Sequence, residues 1–126
     1  MLREGGGKTG QDRQHKMGRL LARERISQLL DKDSPFFEVG LWAAYKMYEQ
    51  WGKIPAAGTV AGIGNVCGIP CMIVANDATV KAGAFFPATV KKLIRAIVLQ
   101  ARKSEKCVCF RIPEDDTRAS GFWTAR

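Results

Sequence analysis

The sequence of 126 residues has a single histidine, His15, and no apolar run that approaches the roughly 20 residues that a membrane-spanning helix needs. A transmembrane helix is therefore excluded. The chain begins with charged and polar residues, so no signal or transit peptide is visible. We therefore expect a cytoplasmic protein, or a protein of the mitochondrial matrix if the source is eukaryotic.

The four cysteines do not have the spacing of a zinc site. Cys67 and Cys71 are separated by three residues, and Cys107 and Cys109 by one residue, whereas zinc ribbons pair one C-x-x-C with another. We predict reduced thiols and no bound metal.

Two glycine-rich stretches suggest nucleotide loops, but neither satisfies the pattern. A P-loop that ends in Gly7-Lys8-Thr9 would need its first glycine at position 2, which is Leu2. The dinucleotide fingerprint that begins at Gly62 has Cys67 in place of its third glycine, and another predicted strand follows it. We therefore expect residues 1–18 to be a flexible lead-in, and residues 59–75 to contain strands in which glycines permit close backbone approach.

The net charge of +8 favours an anionic partner, such as nucleic acid, an acidic surface or a phosphorylated cofactor. One alternative function is therefore a non-catalytic basic module that binds nucleic acid. Four aromatic residues at three-residue spacing near Lys46 and Lys53 resemble a base-stacking platform. We interpret them instead as packing against the core: Trp42, Tyr45, Tyr48 and Trp51.

The pattern of apolar residues predicts an α/β arrangement. We expect a helix over residues 22–30, a short strand over 36–39, a hairpin over 59–75 that turns at Cys67-Gly68, and a strand over 107–112. A second helix is predicted over 87–102. Its apolar face would contain Val90, Leu93, Ile94, Ile97, Val98 and Ala101, and its solvated face Lys91, Lys92, Arg95 and Arg102.

A polar break follows the second strand of the hairpin. Asn76-Asp77 is typical of a strand end, because both side chains bond nearby backbone groups. Lys81 and Gly83 come next, and Pro87 suits the first turn of a helix. Lys81 and Lys91 would then lie near a helix N-terminus, where a phosphate is favoured. This pattern predicts a ligand-binding turn.

Three ordered motifs carry a resemblance to a known family. They are VANDATVKAGAFFP at residues 74–87, GRLLARERI through Leu30-Asp31 at residues 18–31 with FFE at 36–38, and GTVAGIG at residues 58–64. Over residues 5–96 the chain resembles the carboxyltransferase (β) subunit of biotin-dependent acyl-CoA carboxylases, of the propionyl-CoA and methylcrotonyl-CoA types.

The resemblance implies a crotonase-like (ClpP/crotonase) α/β fold, of which residues 19–112 would form a truncated N-terminal portion. It implies transfer of a carboxyl group from carboxybiotin, held by a partner subunit or domain, to the α-carbon of an acyl-CoA substrate. Biotin carboxylase or carrier subunits and homo-oligomers are the implied partners. Lys81, Gly83 and Lys91 are the implied acyl-CoA contacts, with no catalytic residue and no metal ligand in this chain.

The resemblance also implies that the donors of the oxyanion hole lie in Gly-Gly segments beyond residue 126. We therefore expect the isolated chain to be inactive. Residues 113–126 depart from the family pattern, as a shifted reading frame would produce.

Overall fold

The centre of the structure is a long antiparallel hairpin formed by β2 (Thr59–Val66) and β3 (Ile69–Asn76). β1 (Phe37–Val39) pairs antiparallel with β2, and β4 (Val108–Ile112) pairs parallel with β3. The sheet order is β1-β2-β3-β4 in the computed structural model, which describes residues 2–47, 50, 52–103 and 108–112. The predicted strands and hairpin are confirmed.

Helices cover both faces of the sheet. α2 (Ala22–Leu29) packs on one face, where its Ala22 and Ile26 meet Ile73 of β3. α3 (Pro87–Lys103) crosses the other face, where Ala96 meets Met72 and Val74 of the same strand. Residues 71–75 of β3 are buried on both faces, which agrees with a run that is continuously apolar instead of alternating.

A carboxylate holds the turn between β2 and β3. Cys67 and Gly68 have φ values of 52° and 75°. Positive φ at both central residues is what a tight type I′ hairpin turn requires. Asp31 accepts the N–H of Cys67 at 2.6 Å and the N–H of Gly68 at 2.7 Å. The end of α2 is thereby tied to the hairpin.

The glycines of β2 permit close packing, as predicted. A Cβ on Gly62 would come within 2.5 Å of the Phe36 ring and of the Phe37 carbonyl oxygen. A Cβ on Gly64 would come within 2.3 Å of the Leu30 side chain. The segment that runs from α2 into β1 can therefore lie directly on the sheet.

The prediction of a flexible lead-in is wrong for much of residues 1–18, because Gly7–Lys16 form helix α1. The Gly6 N–H donates to Thr79 Oγ1 at 2.8 Å, and Gln14 is buried. A Cβ on Gly6 would come within 2.0 Å of the Thr79 carbonyl oxygen. Contact with residues 77–79 therefore outweighs the low helix propensity of these glycines.

The boundaries predicted for α3 are confirmed, but its predicted buried face is wrong. The side chains of Val90, Ile94, Ile97 and Val98 are between 42% and 55% exposed. The residues buried on the helix are Ala88, Thr89, Lys92 and Ala96, with Leu93 partly buried beside them. The small residues allow α3 to approach the sheet closely, so the bulkier apolar side chains face outward.

The aromatic segment after β1 does not fill the core. Residues 41–46 form turns, and Trp42 and Tyr45 are 66% and 46% exposed. Their rings contact each other edge-on, with centroids 5.2 Å apart. Core packing is therefore wrong for these two residues. The predictions for Tyr48, Trp51, the side chains of Ala101 and Arg102, and residues 113–126 lie outside what the structure describes.

Candidate functional site

The site begins where β3 ends, in a turn that Asp77 holds. The Asp77 carboxylate accepts the Thr79 N–H at 3.0 Å and also the Thr79 hydroxyl. The Asp77 N–H donates to the Gly58 carbonyl oxygen at 3.0 Å, and the Asp77 carbonyl oxygen accepts the Val80 N–H at 3.0 Å. The prediction that this side chain fixes the strand end through local bonds is confirmed.

The next three residues form a left-handed turn, which we call the 81–83 turn. Lys81, Ala82 and Gly83 have φ values of 48°, 53° and 75°. The Gly83 N–H donates to the Val80 carbonyl oxygen, and the Ala84 N–H donates to the Lys81 carbonyl oxygen. The contribution of Gly83 is thus its backbone conformation, since its N–H is already bonded.

The Lys81 side chain is exposed and extends toward the segment that precedes β2. A Cβ on Gly52 would lie 3.3 Å from Lys81 Nζ. Gly52 has a φ of 76°, a conformation that favours glycine. The ammonium group therefore lies over a backbone surface without a side chain.

The N-terminus of α3 follows the 81–83 turn. Its first turn has no acidic residue, and the Phe86 N–H is capped by Thr89 Oγ1 at 3.2 Å. Lys91 is exposed on the helix, one turn from its start. The free backbone donors of a helix start attract anions, and Lys81 and Lys91 add positive charge on either side of it.

A second left-handed turn lies beside the first one. Ala56, Ala57 and Gly58 have φ values of 51°, 56° and 66°, and we call them the 56–58 turn. Side chains of α3 bind its carbonyl oxygens. Thr89 Oγ1 donates to the Ala57 oxygen at 2.7 Å, and Lys92 Nζ donates to the Ala56 oxygen at 2.9 Å and to the Thr59 oxygen.

The prediction that Lys92 is a solvated surface charge is wrong. Lys92 is only 7% exposed, and burial lowers the pKa of its ammonium from 10.5 to about 8. The nearby Glu38 carboxylate opposes this decrease of the pKa, and Arg23 adds to it. A Cβ on Gly40 would lie 3.1 Å from the Lys92 stem, so the side chain is enclosed.

The arginines of α2 connect the site to the remainder of the chain. Arg23 binds Glu38 with both terminal nitrogens at 2.8 Å, and the Glu38 side chain is 7% exposed. Arg25 donates to the Asn76 carbonyl oxygen at 2.8 Å. The start of α2 and the end of β3 are thereby fixed relative to each other.

Glu24 stabilises the start of α2. It accepts the Leu21 N–H at 2.7 Å and binds His15 of α1 at 3.0 Å. The backbone bond, followed by the histidine, lowers the pKa of Glu24.

The structure therefore places Asp77, Lys81 and Gly83 in one continuous turn and Lys91 on the adjacent helix. The sequence analysis missed Thr89, Lys92 and the 56–58 turn. One signal for the buried face was present, because Ala88, Lys92 and Ala96 follow each other at intervals of four residues. Residues four apart lie on one face of a helix, and the two alanines of this set leave room for close packing there.

Among the described residues, no group of histidine, cysteine and carboxylate side chains could hold a metal ion. Within the same part of the chain, no helix has the length and apolar character needed to cross a membrane.

A hairpin followed by a crossover helix and a parallel strand, with a left-handed turn between strand and helix, defines an α/β protein. Known structures place this fold among the carboxyltransferases, whose fold is crotonase-like. A crystal structure of transcarboxylase 12S, with methylmalonyl-coenzyme A and methylmalonic acid bound, matches with a TM-score of 0.71 at 30% identity. The match covers 79% of this chain and 20% of that chain.

The chain belongs to the carboxyl transferase domain family, whose model matches residues 13–114. It is 45% identical over 105 residues to a probable mitochondrial methylcrotonoyl-CoA carboxylase beta chain of Drosophila melanogaster, over 83% of this chain and 18% of that protein. It is 52% identical over 92 residues to a probable biotin-dependent acyl-coenzyme A carboxylase beta2 subunit of Mycobacterium tuberculosis, over 73% of this chain and 17% of that protein.

The chain thus spans about a fifth of the length of these relatives and corresponds to an N-terminal portion of them. The resemblance found in the sequence is confirmed at the level of the family and the fold. Nothing in the comparisons supports the nucleic-acid-binding alternative.

Proposed function

We propose that this chain supplies part of the acyl-CoA-binding surface of a biotin-dependent carboxyltransferase. In that reaction a carboxyl group passes from carboxybiotin to the α-carbon of an acyl-CoA. The observation that carries the proposal is the exposed Lys81 on a left-handed turn, next to a helix N-terminus without acidic residues, in a chain of this family.

The described residues fit the phosphates of coenzyme A. Lys81 and Lys91 are exposed cations, and the start of α3 adds the partial positive charge of a helix N-terminus. Charge-assisted hydrogen bonds to phosphate oxygens are about twice as strong as neutral ones. Gly83 contributes by keeping the turn in its left-handed conformation.

Biotin, held by a partner subunit or domain, would supply the transferable carboxyl group. No residue of this chain is assigned to biotin or to the bond-making step. The role of the chain is to bind and orient the acyl-CoA.

Three further assignments belong to the same proposal. We propose partners of the biotin carboxylase or biotin carrier type, and the names of two relatives, which describe subunits of biotin-dependent carboxylases, support this. A homo-oligomer is supported by the transcarboxylase 12S structure, which is described as a hexamer. The location would be the cytoplasm or, as for the relatives named mitochondrial, the matrix.

Calorimetric titration with coenzyme A tests the binding surface. If a charged hydrogen bond is worth about 1.5–3 kcal/mol, Lys81→Ala should weaken the affinity about tenfold or more. Lys91→Ala should weaken it in the same direction. Dephospho-coenzyme A, which lacks the 3′-phosphate, should show whether that phosphate is the group recognised.

Lys32→Ala is the matched control. Lys32 is also an exposed lysine, but it follows Asp31, which binds the hairpin turn at the opposite end of β2 and β3. If Lys32→Ala and Lys81→Ala weakened the affinity for coenzyme A equally, the effect would come from the lower net charge and not from a contact of Lys81. An unchanged affinity for Lys81→Ala would remove this lysine from the site.

A further inference from the structure

The 56–58 turn has a conformation that its own sequence does not favour. Two of its three left-handed residues are alanines, with φ values of 51° and 56°. A residue with a Cβ is strained in this region, and such strain persists only where surrounding structure enforces it. The enforcing groups are therefore to be found around the turn.

Those groups come from one helix. Three of the four carbonyl groups of residues 56–59 accept hydrogen bonds from Lys92 and Thr89 of α3. They are the carbonyl groups of Ala56, Ala57 and Thr59. Both donors are buried, with Lys92 7% exposed and Thr89 2% exposed. An apolar side chain would fill the same space, but it could not satisfy these oxygen atoms.

The remaining carbonyl, that of Gly58, leads to the candidate binding turn. It accepts the Asp77 N–H at 3.0 Å. A Cβ on Gly58 would lie 3.6 Å from the buried Val80 side chain. The backbone carbonyl oxygen of Val80 in turn accepts the Gly83 N–H at 3.0 Å. A continuous series of contacts thus runs from Lys92 through the 56–58 turn to the 81–83 turn.

We propose that Lys92 is a positioning residue. Together with Thr89 it fixes the 56–58 turn, and through that turn it sets the place of the 81–83 turn, which carries Lys81. The inference rests on the proposed function only in treating the 81–83 turn as the binding site. The contacts themselves do not depend on what is bound.

The test compares Lys92→Met with Arg95→Met in the full chain. Methionine keeps an apolar stem at position 92 but removes the three donors. Arg95 is an exposed cation three residues further along α3, so its variant controls for lost positive charge. Thr89→Val is the milder second variant, because it removes a single donor at nearly constant shape.

Amide hydrogen exchange is the first measurement. In Lys92→Met the amides of Asp77, Gly83 and Ala84 should exchange about tenfold faster, the size of a local opening, while those of Cys67 and Gly68 keep their rates. Thr89→Val should change the same amides in the same direction. A uniform increase at both ends of the hairpin, or no change at residues 77–84 in either variant, would overturn the inference.

Coenzyme A titration is the second measurement. Lys92→Met should weaken binding about fivefold or more although Lys92 is buried, whereas Arg95→Met should stay within about twofold of the unmodified chain. Faster local exchange in a chain that never binds coenzyme A would refute the proposed function and leave the positioning role standing. Normal binding with normal exchange in Lys92→Met would refute the positioning role alone.

Discussion

Replacing Lys92 by methionine should have an effect on stability that depends on pH, and two opposing terms determine its size. The first term concerns the acceptors. Lys92 Nζ donates to the carbonyl oxygens of Ala56 and Thr59, which lose this partner in the variant. An unsatisfied buried acceptor costs about 1–3 kcal/mol, so the two together cost about 2–6 kcal/mol.

The second term is the desolvation of the ammonium group. Burial lowers the pKa of Lys92 from 10.5 to about 8. At about 1.36 kcal/mol per pKa unit, the folded chain is about 3 kcal/mol less stable below pH 8 than it would be with a neutral amine. Methionine removes this penalty. Near pH 7 the two terms therefore offset each other to within about 3 kcal/mol.

The pH dependence separates the two terms. Between pH 8 and pH 10.5 the unfolded chain binds more protons at Lys92 than the folded chain does, so the free energy of unfolding rises with pH. The neutral amine still has two N–H groups for its two acceptors. From pH 7 to pH 9.5 the unmodified chain should gain about 2 kcal/mol over Lys92→Met.

Urea unfolding followed by circular dichroism, at low protein concentration, measures this gain. The unmodified chain, Lys92→Met and Arg95→Met should each be unfolded at both pH values. Arg95→Met shows how much of the difference between the two pH values follows from the loss of one positive charge on α3. A gap between Lys92→Met and the unmodified chain that stays constant with pH would refute the buried, desolvated ammonium.

Three other predictions follow from the same structure. The isolated chain should transfer no labelled carboxyl group to propionyl-CoA when a carboxylated biotin carrier is supplied, and detectable transfer would contradict this. The chain should self-associate in sedimentation velocity experiments, because the apolar face of α3 is exposed. Ile94→Lys should reduce this association, and a clean monomer with a sharp thermal transition would contradict the prediction. Asn76→Ala should lower the free energy of unfolding by about 1 kcal/mol, because Asn76 is buried. The affinity for coenzyme A should stay nearly unchanged, and a selective loss of affinity would instead make Asn76 a ligand contact.

The sheet was predictable because its signals are local. The run from Cys71 to Ala75 is apolar throughout, which indicates a strand buried on both faces. Gly68 permits positive φ at the hairpin turn, and Asp77 follows the strand with a carboxylate that accepts the Thr79 N–H. Each of these features depends on neighbours within a few residues, so the sequence alone is sufficient to find it.

The buried face of α3 could not be found from hydrophobicity. Val90, Ile94 and Ile97 form the most apolar stripe of the helix, yet each is more than 40% exposed. The contact with the sheet is made by Ala96, which packs with Ala61, Met72 and Val74. A hydrophobic pattern records side-chain character but not the space that a sheet leaves for a helix.

The left-handed turns show why the sequence indicated candidate contacts of the site but not the residues that support it. Lys81 and Gly83 follow a strand end, a position where ligand-binding residues are expected. Ala56 and Ala57 give no local signal of positive φ, since an isolated alanine disfavours it. Their conformation is enforced by Lys92 and by Thr89, donors more than thirty residues away. The position of the exposed lysine therefore depends on a buried lysine, whose role becomes visible only once α3 has been placed against the sheet.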